Sequence, residues 1–411
     1  MGRALKAWAL GAGVFLLACA PPWVGLYGPK GVGDMYLFRL YGHRMEIYHR
    51  WPYHDFFFDW APGLVPPVLF PTWLPGDYYH AFHVLDALYA LLALGAVAWT
   101  LVLLGAGTRR LFLGVGLAAV APFALGSISI DSLDYWPALF TGAGLAVFLA
   151  GRYRIAAGLL GFAIVAKVYA LVIAPLLLVW LWRRRSRDEA VRCTAIGAAV
   201  VVLVSLPFLI LGPTGLGFSI KSQFVRGLQM ESLGASILMA LDHLGLYHAH
   251  VVVGTPYSLD IEGGAARAVG VVFTLVTIAV LLWIYARYLR GPDERQRLVT
   301  ACAAALTAYV AFSRVLSPQY ILWLVLVVPL LTGAAGLAAE ALLLAACAVT
   351  MTWFPGRFVH LQHISPVSWF VLLRNVLLVL AFAATAWPLL RRHEAPARSI
   401  EQVRHEEVPQ G

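Results

Sequence analysis

Long unbroken apolar runs separated by short polar stretches make up most of this chain. They predict membrane helices over 7–27, 81–104, 111–128, 136–150, 190–212, 265–287, 298–314, 320–339, 341–355 and 368–390. The runs do not alternate with a period of two, which excludes a barrel and leaves an all-α polytopic membrane protein. Segment 151–187 differs. Arg152 and Arg154 open it, and Arg183, Arg184, Arg185 and Arg187 close it. One long tilted helix would put these two basic clusters on opposite sides of the membrane. Two half-helices turning at Lys167-Val168-Tyr169 keep both on one side, and this hairpin is the preferred reading. It brings the total to about 12 transmembrane or half-membrane helices in one domain, 1–392, with both termini cytoplasmic. A polar tail, 393–411, is expected to be cytoplasmic and disordered.

Two longer polar stretches fall on the outer side, a first outer loop at 29–80 and a second at 213–264. In the first, a helical stripe follows Gly33-Asp34. Arg39, His43, Glu46 and Arg50 share one face, and Leu37, Phe38, Tyr41, Met45 and Tyr48 share the other. Such a segment is expected to lie flat at the membrane surface with its apolar side in lipid. Pro62, Pro66, Pro67, Pro71 and Pro75 then rule out a regular spanning helix. Near the N-terminus, Leu17-Ala18-Cys19-Ala20 mimics a cleavage site. The run from Ala7 to Tyr27 is longer than a signal-peptide core, so an uncleaved first span is expected.

Composition sharpens this picture. Charged residues are 12% of the 411 and hydrophobic residues 61%, whereas a soluble domain carries about 25% charged residues. The net charge of +9 fits cytoplasmic positive loops better than nucleic-acid binding, and no nucleic-acid partner is expected. Cys19, Cys193, Cys302 and Cys347 are far apart in apolar stretches and read as small core residues.

The polar chemistry gathers in the outer loops. Asp34 stands at a helix start, where an outward carboxylate can act as a general base and the helix dipole favours its charged form. An N-cap role explains the same residue equally simply. Asp55 and Asp59 are rivals in the same loop, and Glu46 reads as a solvated partner of Arg50. Lys167 is a cation inside an apolar segment, either a phosphate clamp or a chain snorkelling to the interface. Together Lys167, Arg226 and Arg314 have the chemistry to neutralise a phosphate if they converge. The pairs His360/His363 and His248/His250 lack the carboxylates of a metal set, so no metal site is assigned. The chain has no phosphate-cradling glycine loop, serine elbow or Walker pattern, which argues against a nucleotide-using cytosolic site.

An apolar first span, then Asp34 with Tyr36 and a proline-interrupted aromatic segment, resembles the membrane-embedded C-type glycosyltransferases (GT-C). Within these the chain is similar to glycosyltransferase family 87, the polyprenyl-phosphate-mannose-dependent mannosyltransferases of actinobacterial envelopes. KVYALVIAPLLL from Lys167, RGLQMES from Arg226 and SRVLSPQYILWLVLVVPL from Ser313 carry that resemblance, the last most specifically. Three departures stand out. Trp60-Ala61-Pro62 replaces an aromatic followed by two prolines, Ala170 replaces a proline, and SISIDSLDYW lacks a Gly-Gln pair.

The resemblance implies a GT-C-like fold whose site lies on the extracytoplasmic face of the plasma membrane, with Asp34 as base. It implies that Lys167, Arg226, Glu231, Arg314, Gln319 and Tyr320 line the donor or acceptor site. Beside them the residues themselves add Tyr169 and the outer-side His360 and His363 as lining, with Arg39, Asp55 and Asp59 as secondary candidates. The implied reaction is inverting transfer of a hexose, mannose first, from a polyprenyl-phosphate donor to a hydroxyl of a glycolipid or glycan acceptor. No cofactor is required, because fixed cations can hold the phosphate, although a divalent cation stays compatible with the pattern. The alternatives are a transporter or flippase of lipid-linked sugars, or a transferase using a pentofuranosyl or glucosyl lipid phosphate. A flippase would usually show related halves and polar residues at mid-membrane, and this sequence shows neither clearly.

Overall fold

The computed structural model describes residues 2–24, 33–254 and 258–390. The expected tail 393–411 lies outside them. The chain is an α-helical bundle with one small sheet. A first helix, α1 (Gly2–Trp23), leads into the first outer loop, which carries α2 (Met35–Glu46) and a short α3 (Val65–Leu69) between two 3-10 turns. Then follow α4 (Tyr78–Leu103), α5 (Thr108–Ala119), α6 (Ala121–Leu125) and α7 (Tyr135–Leu149). The next stretch holds α8 (Tyr153–Ala166), α9 (Ala174–Arg184), α10 (Arg187–Leu211) and α11 (Pro213–Phe224). The second outer loop contributes β1 (Leu228–Gln229), α12 (Leu233–His243), β2 (His250–Val253) and β3 (Leu259–Glu262). The last third holds α13 (Gly264–Leu289), α14 (Arg295–Phe312), α15 (Ile321–Val325), α16 (Gly333–Met351), α17 (Phe358–Leu361) and α18 (Ser368–Leu390). The three strands pair antiparallel in the order β1-β3-β2, with Leu228 opposite Ile261 and Val251 opposite the same residue from the far side.

Among the described residues, seven helical segments are long and apolar enough to cross a membrane, and four shorter apolar ones accompany them. The all-α polytopic class expected from the runs is therefore what the chain adopts. Segment 151–187 forms the hairpin: α8 ends at Ala166, Lys167 is extended (φ −159°, ψ 122°), and the chain returns through a 3-10 turn into α9. The end opposite Asp34 is tied by cations. Arg154 grips both oxygens of Glu189 at 3.0 Å, and Arg183 and Arg184 hold the 289–293 turn. Helix α14 sits at the centre, buried at nearly every position from Arg297 to Ala311. Alanine is its commonest residue there, and small side chains let neighbouring backbones approach closely where lipid offers no hydrophobic drive.

Three expectations need correction. The boundary expected near residue 340 falls at 331–332, just before Gly333 at φ +76°, so the two segments run 318–330 and 333–351 instead of 320–339 and 341–355. A short broken stretch, 318–330, precedes a full helix from Gly333 to Met351. Apolar content hid the break, because Glu340 is swallowed inside α16 against Arg110. Second, α2 does not rest its apolar face on lipid. Phe38 and Tyr41 are buried in a box made by Phe56, Phe58, Trp60 and Phe82, with ring centroids 4.9–5.5 Å apart. Third, the stripe stops short, since α2 ends at Glu46 and Tyr48 is exposed beyond it.

Arg110 donates from Nε to Leu331 O at 2.8 Å and from Nη2 to Pro329 O at 2.7 Å, and it also pairs with Glu340. Glu340 is 2% exposed, so losing only the arginine strands a carboxylate in the bundle, at a cost of about 3–5 kcal/mol. Arg110→Ala should accordingly lower the thermal midpoint in detergent, and adding Glu340→Leu should recover part of the loss. A double variant no more stable than the single one would show that the pair does not hold the 329–333 break in place.

Candidate functional site

Asp34 is placed by its neighbours in the chain. Gly33 takes φ +68°, a left-handed conformation that suits glycine, and Asp34 follows at φ −87°, ψ 6°, just ahead of α2. Its side chain makes no capping hydrogen bond, so the N-cap reading does not account for it. The carboxyl instead faces charges from three distant segments. Lys167 and Arg226 attract it and Asp134 repels it, while burial, the largest influence, pushes its pKa up from the ordinary carboxylate value. The helix-start argument expected the opposite direction, because it counted the dipole and left out desolvation.

Lys167 is delivered by the break between α8 and the following turn. That break is braced from the first outer loop: Gly63 lies so close to Val165 and Ala166 that a Cβ there would meet the Ala166 N at 2.6 Å. Trp136 Nε1 donates to Gly63 O at 2.9 Å and closes the brace. The lysine does not snorkel. Its Nζ donates to Asp134 Oδ1 at 2.6 Å, and Trp323 Nε1 donates to the same oxygen at 2.6 Å. Tyr169, Trp323 and Tyr320 form a three-ring stack with centroid separations of 4.0 and 4.2 Å. The ammonium stands 4.7 Å from the Tyr320 ring and 5.0 Å from the Trp323 ring. Tyr169 is itself pinned by a 3.0 Å hydrogen bond between its hydroxyl and that of Thr141. One carboxylate and two aromatic rings together hold the ammonium in position.

Arg226 arrives from the second outer loop, with its Nε buried and unmatched by any acceptor among the described residues. It faces both Asp34 and Asp59. Asp59 is 8% exposed with Oδ1 unpartnered, and burial lifts its pKa to about 7 against the pull of Arg226 and with the push of Asp34. Its main-chain oxygen accepts from Gln223 Nε2 at 3.1 Å, which fastens the two outer loops together. Glu231 lies beyond Arg226, buried, its pKa also near 7 because desolvation outweighs Arg374 and Arg226. The Glu231 main-chain oxygen accepts from Arg374 at 2.7 Å and Asn375 at 3.1 Å.

Arg314 plays a different part. Its Nη2 donates to Phe224 O at 2.5 Å, and its own carbonyl accepts from Gln229 N at 3.1 Å. It thereby clasps both sides of the turn that carries Arg226. Gln319 and Tyr320 follow on the same segment, both partly exposed. The remaining sequence candidates stand outside this cluster. Arg39 is exposed and lies over Tyr79. Asp55 is exposed, and the Trp51 N–H and His54 hold its carboxyl below the usual range. His360 and His363 are exposed on and beside α17, with no side-chain hydrogen bond among the described residues.

Asp134 and Trp323 carry as much of the geometry as Lys167, and spacing did not single out either. Asp134 was hidden in SISIDSLDYW, read only for the residues it lacked. The pair of acids three apart in an outer turn was the available signal, for Asp131 is likewise engaged, at 2.7 Å from His83 Nε2. Arg374 was missed because it interrupts α18, an otherwise apolar run. Among the described residues, no group of three His, Cys, Asp or Glu side chains converges as metal ligands would.

No family profile and no curated protein matches the sequence. Solved structures do match the architecture. That of ArnT from Cupriavidus metallidurans bound to undecaprenyl phosphate aligns over 94% of this chain and 78% of that one, at 14% identity and a TM-score of 0.52. The Archaeoglobus fulgidus oligosaccharyltransferase tethered to an acceptor peptide aligns over 93% of this chain and 55% of its own, at 14% identity and a TM-score of 0.48. The chain therefore has a fold like that of ArnT, the C-type glycosyltransferase fold.

Proposed function

We propose that this protein is an inverting glycosyltransferase that moves a hexose, mannose first among the candidates, from a polyprenyl-phosphate donor to a hydroxyl of a glycolipid or glycan. The observation that carries the proposal is the meeting of Asp34 with Lys167 and Arg226, two cations from segments far apart in sequence. The undecaprenyl phosphate in the similarly folded ArnT structure supports the donor class. Basic residues crowd the opposite end, which by the positive-inside rule supports an extracytoplasmic side for this site and cytoplasmic termini.

The chemistry follows from the geometry. Asp34 takes the proton of the acceptor hydroxyl as its oxygen bonds to the anomeric carbon. The bond from that carbon to the donor phosphate oxygen breaks with its electron pair, and one displacement inverts the centre. The departing phosphate gains negative charge, which Lys167 and Arg226 stabilise without having to reorganise. Asp134 sets the place of Lys167, and Arg314 that of the Arg226 turn.

Removing a positioned base costs about 10²–10⁴ in rate, so Asp34→Asn should lose at least that much transfer activity while keeping its expression level. Wild-type activity in that variant would remove Asp34 from the role. The pH profile gives a sharper test. Asp34 must be ionised to act, so activity should fall as pH drops through a value above the normal carboxylate range. Lys167, when charged, lowers the pKa of Asp34, so Lys167→Ala should move the limb of its residual activity to higher pH. Shifts of the opposite sign would sink this electrostatic account. Asp59 also binds its proton more tightly folded than unfolded. Stability should therefore decline as pH rises from about 4 towards 7, and Asp59→Asn should melt higher than wild type at pH 8, by a few degrees.

A further inference from the structure

At the end of the bundle opposite Asp34, a cavity of about 450 Å³ opens between the first turns of α8 and α10. Gly151, Tyr153, Arg185, Ser186 and Glu189 line it. From this cavity we infer a second binding site, one that takes the phosphate headgroup of an anionic membrane lipid. It is independent of the transfer reaction.

The lining has the polarity of an anion site. Arg185 donates from Nε to the Tyr153 hydroxyl at 3.1 Å, and its guanidinium lies 5.3 Å from that ring. The two Nη groups of the arginine meet no acceptor among the described residues. Ser186 Oγ accepts from Glu189 N at 3.1 Å, which leaves its O–H free to donate. The Tyr153 O–H is free in the same way. The one carboxylate in the lining is already neutralised, because Arg154 holds both Glu189 oxygens at 3.0 Å. The guanidinium, the serine hydroxyl and the tyrosine hydroxyl are three kinds of donor that match a phosphate with several acceptor oxygens, and a guanidinium fork is well suited to hold it.

The surroundings favour a lipid over a free ion. Ile155 in the first turn of α8 is 58% exposed, and Val191 in the second turn of α10 is 56% exposed. Trp182, 58% exposed, carries the Arg187 guanidinium 5.5 Å from its ring. An exposed tryptophan beside an arginine marks the level of lipid headgroups, and apolar side chains at that depth meet acyl chains. The positive-inside rule accounts for basic residues here, but not for an arginine bonded to a tyrosine hydroxyl on the lining of a recess.

The test is native mass spectrometry of the full protein released from nanodiscs of phosphatidylcholine containing phosphatidylglycerol. Wild type should retain phosphatidylglycerol over phosphatidylcholine. Arg185→Ala should retain at least tenfold less, and Tyr153→Phe should lose part of it with the fold intact by thermal melting. Arg109→Ala, an exposed arginine at the same end, should be unchanged. Undiminished retention in Arg185→Ala, or an equal loss in Arg109→Ala, would overturn the site in favour of diffuse attraction. Displacement of the lipid by millimolar inorganic phosphate would assign the cavity to a free anion instead.

Discussion

A cation in an otherwise apolar stretch must be matched by something that holds it, and the pairing of Lys167 with Asp134 meets that demand. Both sit where apolar helices break: Lys167 after α8, Asp134 before α7. Their 2.6 Å bond joins two otherwise greasy spans at one end of the bundle. Trp323 donates to the same carboxylate oxygen and stacks between Tyr169 and Tyr320, which brings the Ser-Pro-Gln-Tyr segment to the lysine. Unpaired, either charge would cost several kcal/mol, so the helices that supply them are constrained to meet. The site is in this sense a by-product of how the fold satisfies its own buried charges.

The second outer loop adds the other cation by a different route. Arg226 is carried on a turn clasped by Arg314, tied through Gln223 to the first outer loop and braced against α18 through Glu231 and Arg374. Desolvation raises the pKa values of Asp34, Asp59 and Glu231, and the cations pull them back. Burial and the neighbouring cations thus act on these three acids in opposite directions, the kind of balance found where proton-transfer chemistry takes place.

Much of this was legible in the sequence. Basic clusters flanking 151–187 gave the hairpin, because charge placement relative to the membrane is a one-dimensional property. The break at 331–332 was not legible, since an apolar run looks the same whether it is one helix or two, and Gly333 alone does not mark the turn. The packing of α2 was misjudged for a related reason: Phe38 and Tyr41 suit lipid and an aromatic box equally well. Of the site residues, Lys167 was found as a charge inside an apolar segment, and Arg226 as a loop cation that gains meaning only by convergence. Asp134, Trp323 and Arg374 matter through what they touch, and contact between distant segments is not written in spacing. Arg314 shows the same limit from the other side, since its charge was visible but its use as a clasp was not.

The account turns on where a donor phosphate rests. A cryo-electron-microscopy structure of the protein with a non-transferable polyprenyl-phosphonate sugar addresses that directly. The phosphonate should lie within about 4 Å of both the Lys167 ammonium and the Arg226 guanidinium, with Asp34 on the opposite side of the anomeric carbon. A phosphonate bound away from both cations, or one with Asp34 on the leaving-group side, would contradict the account.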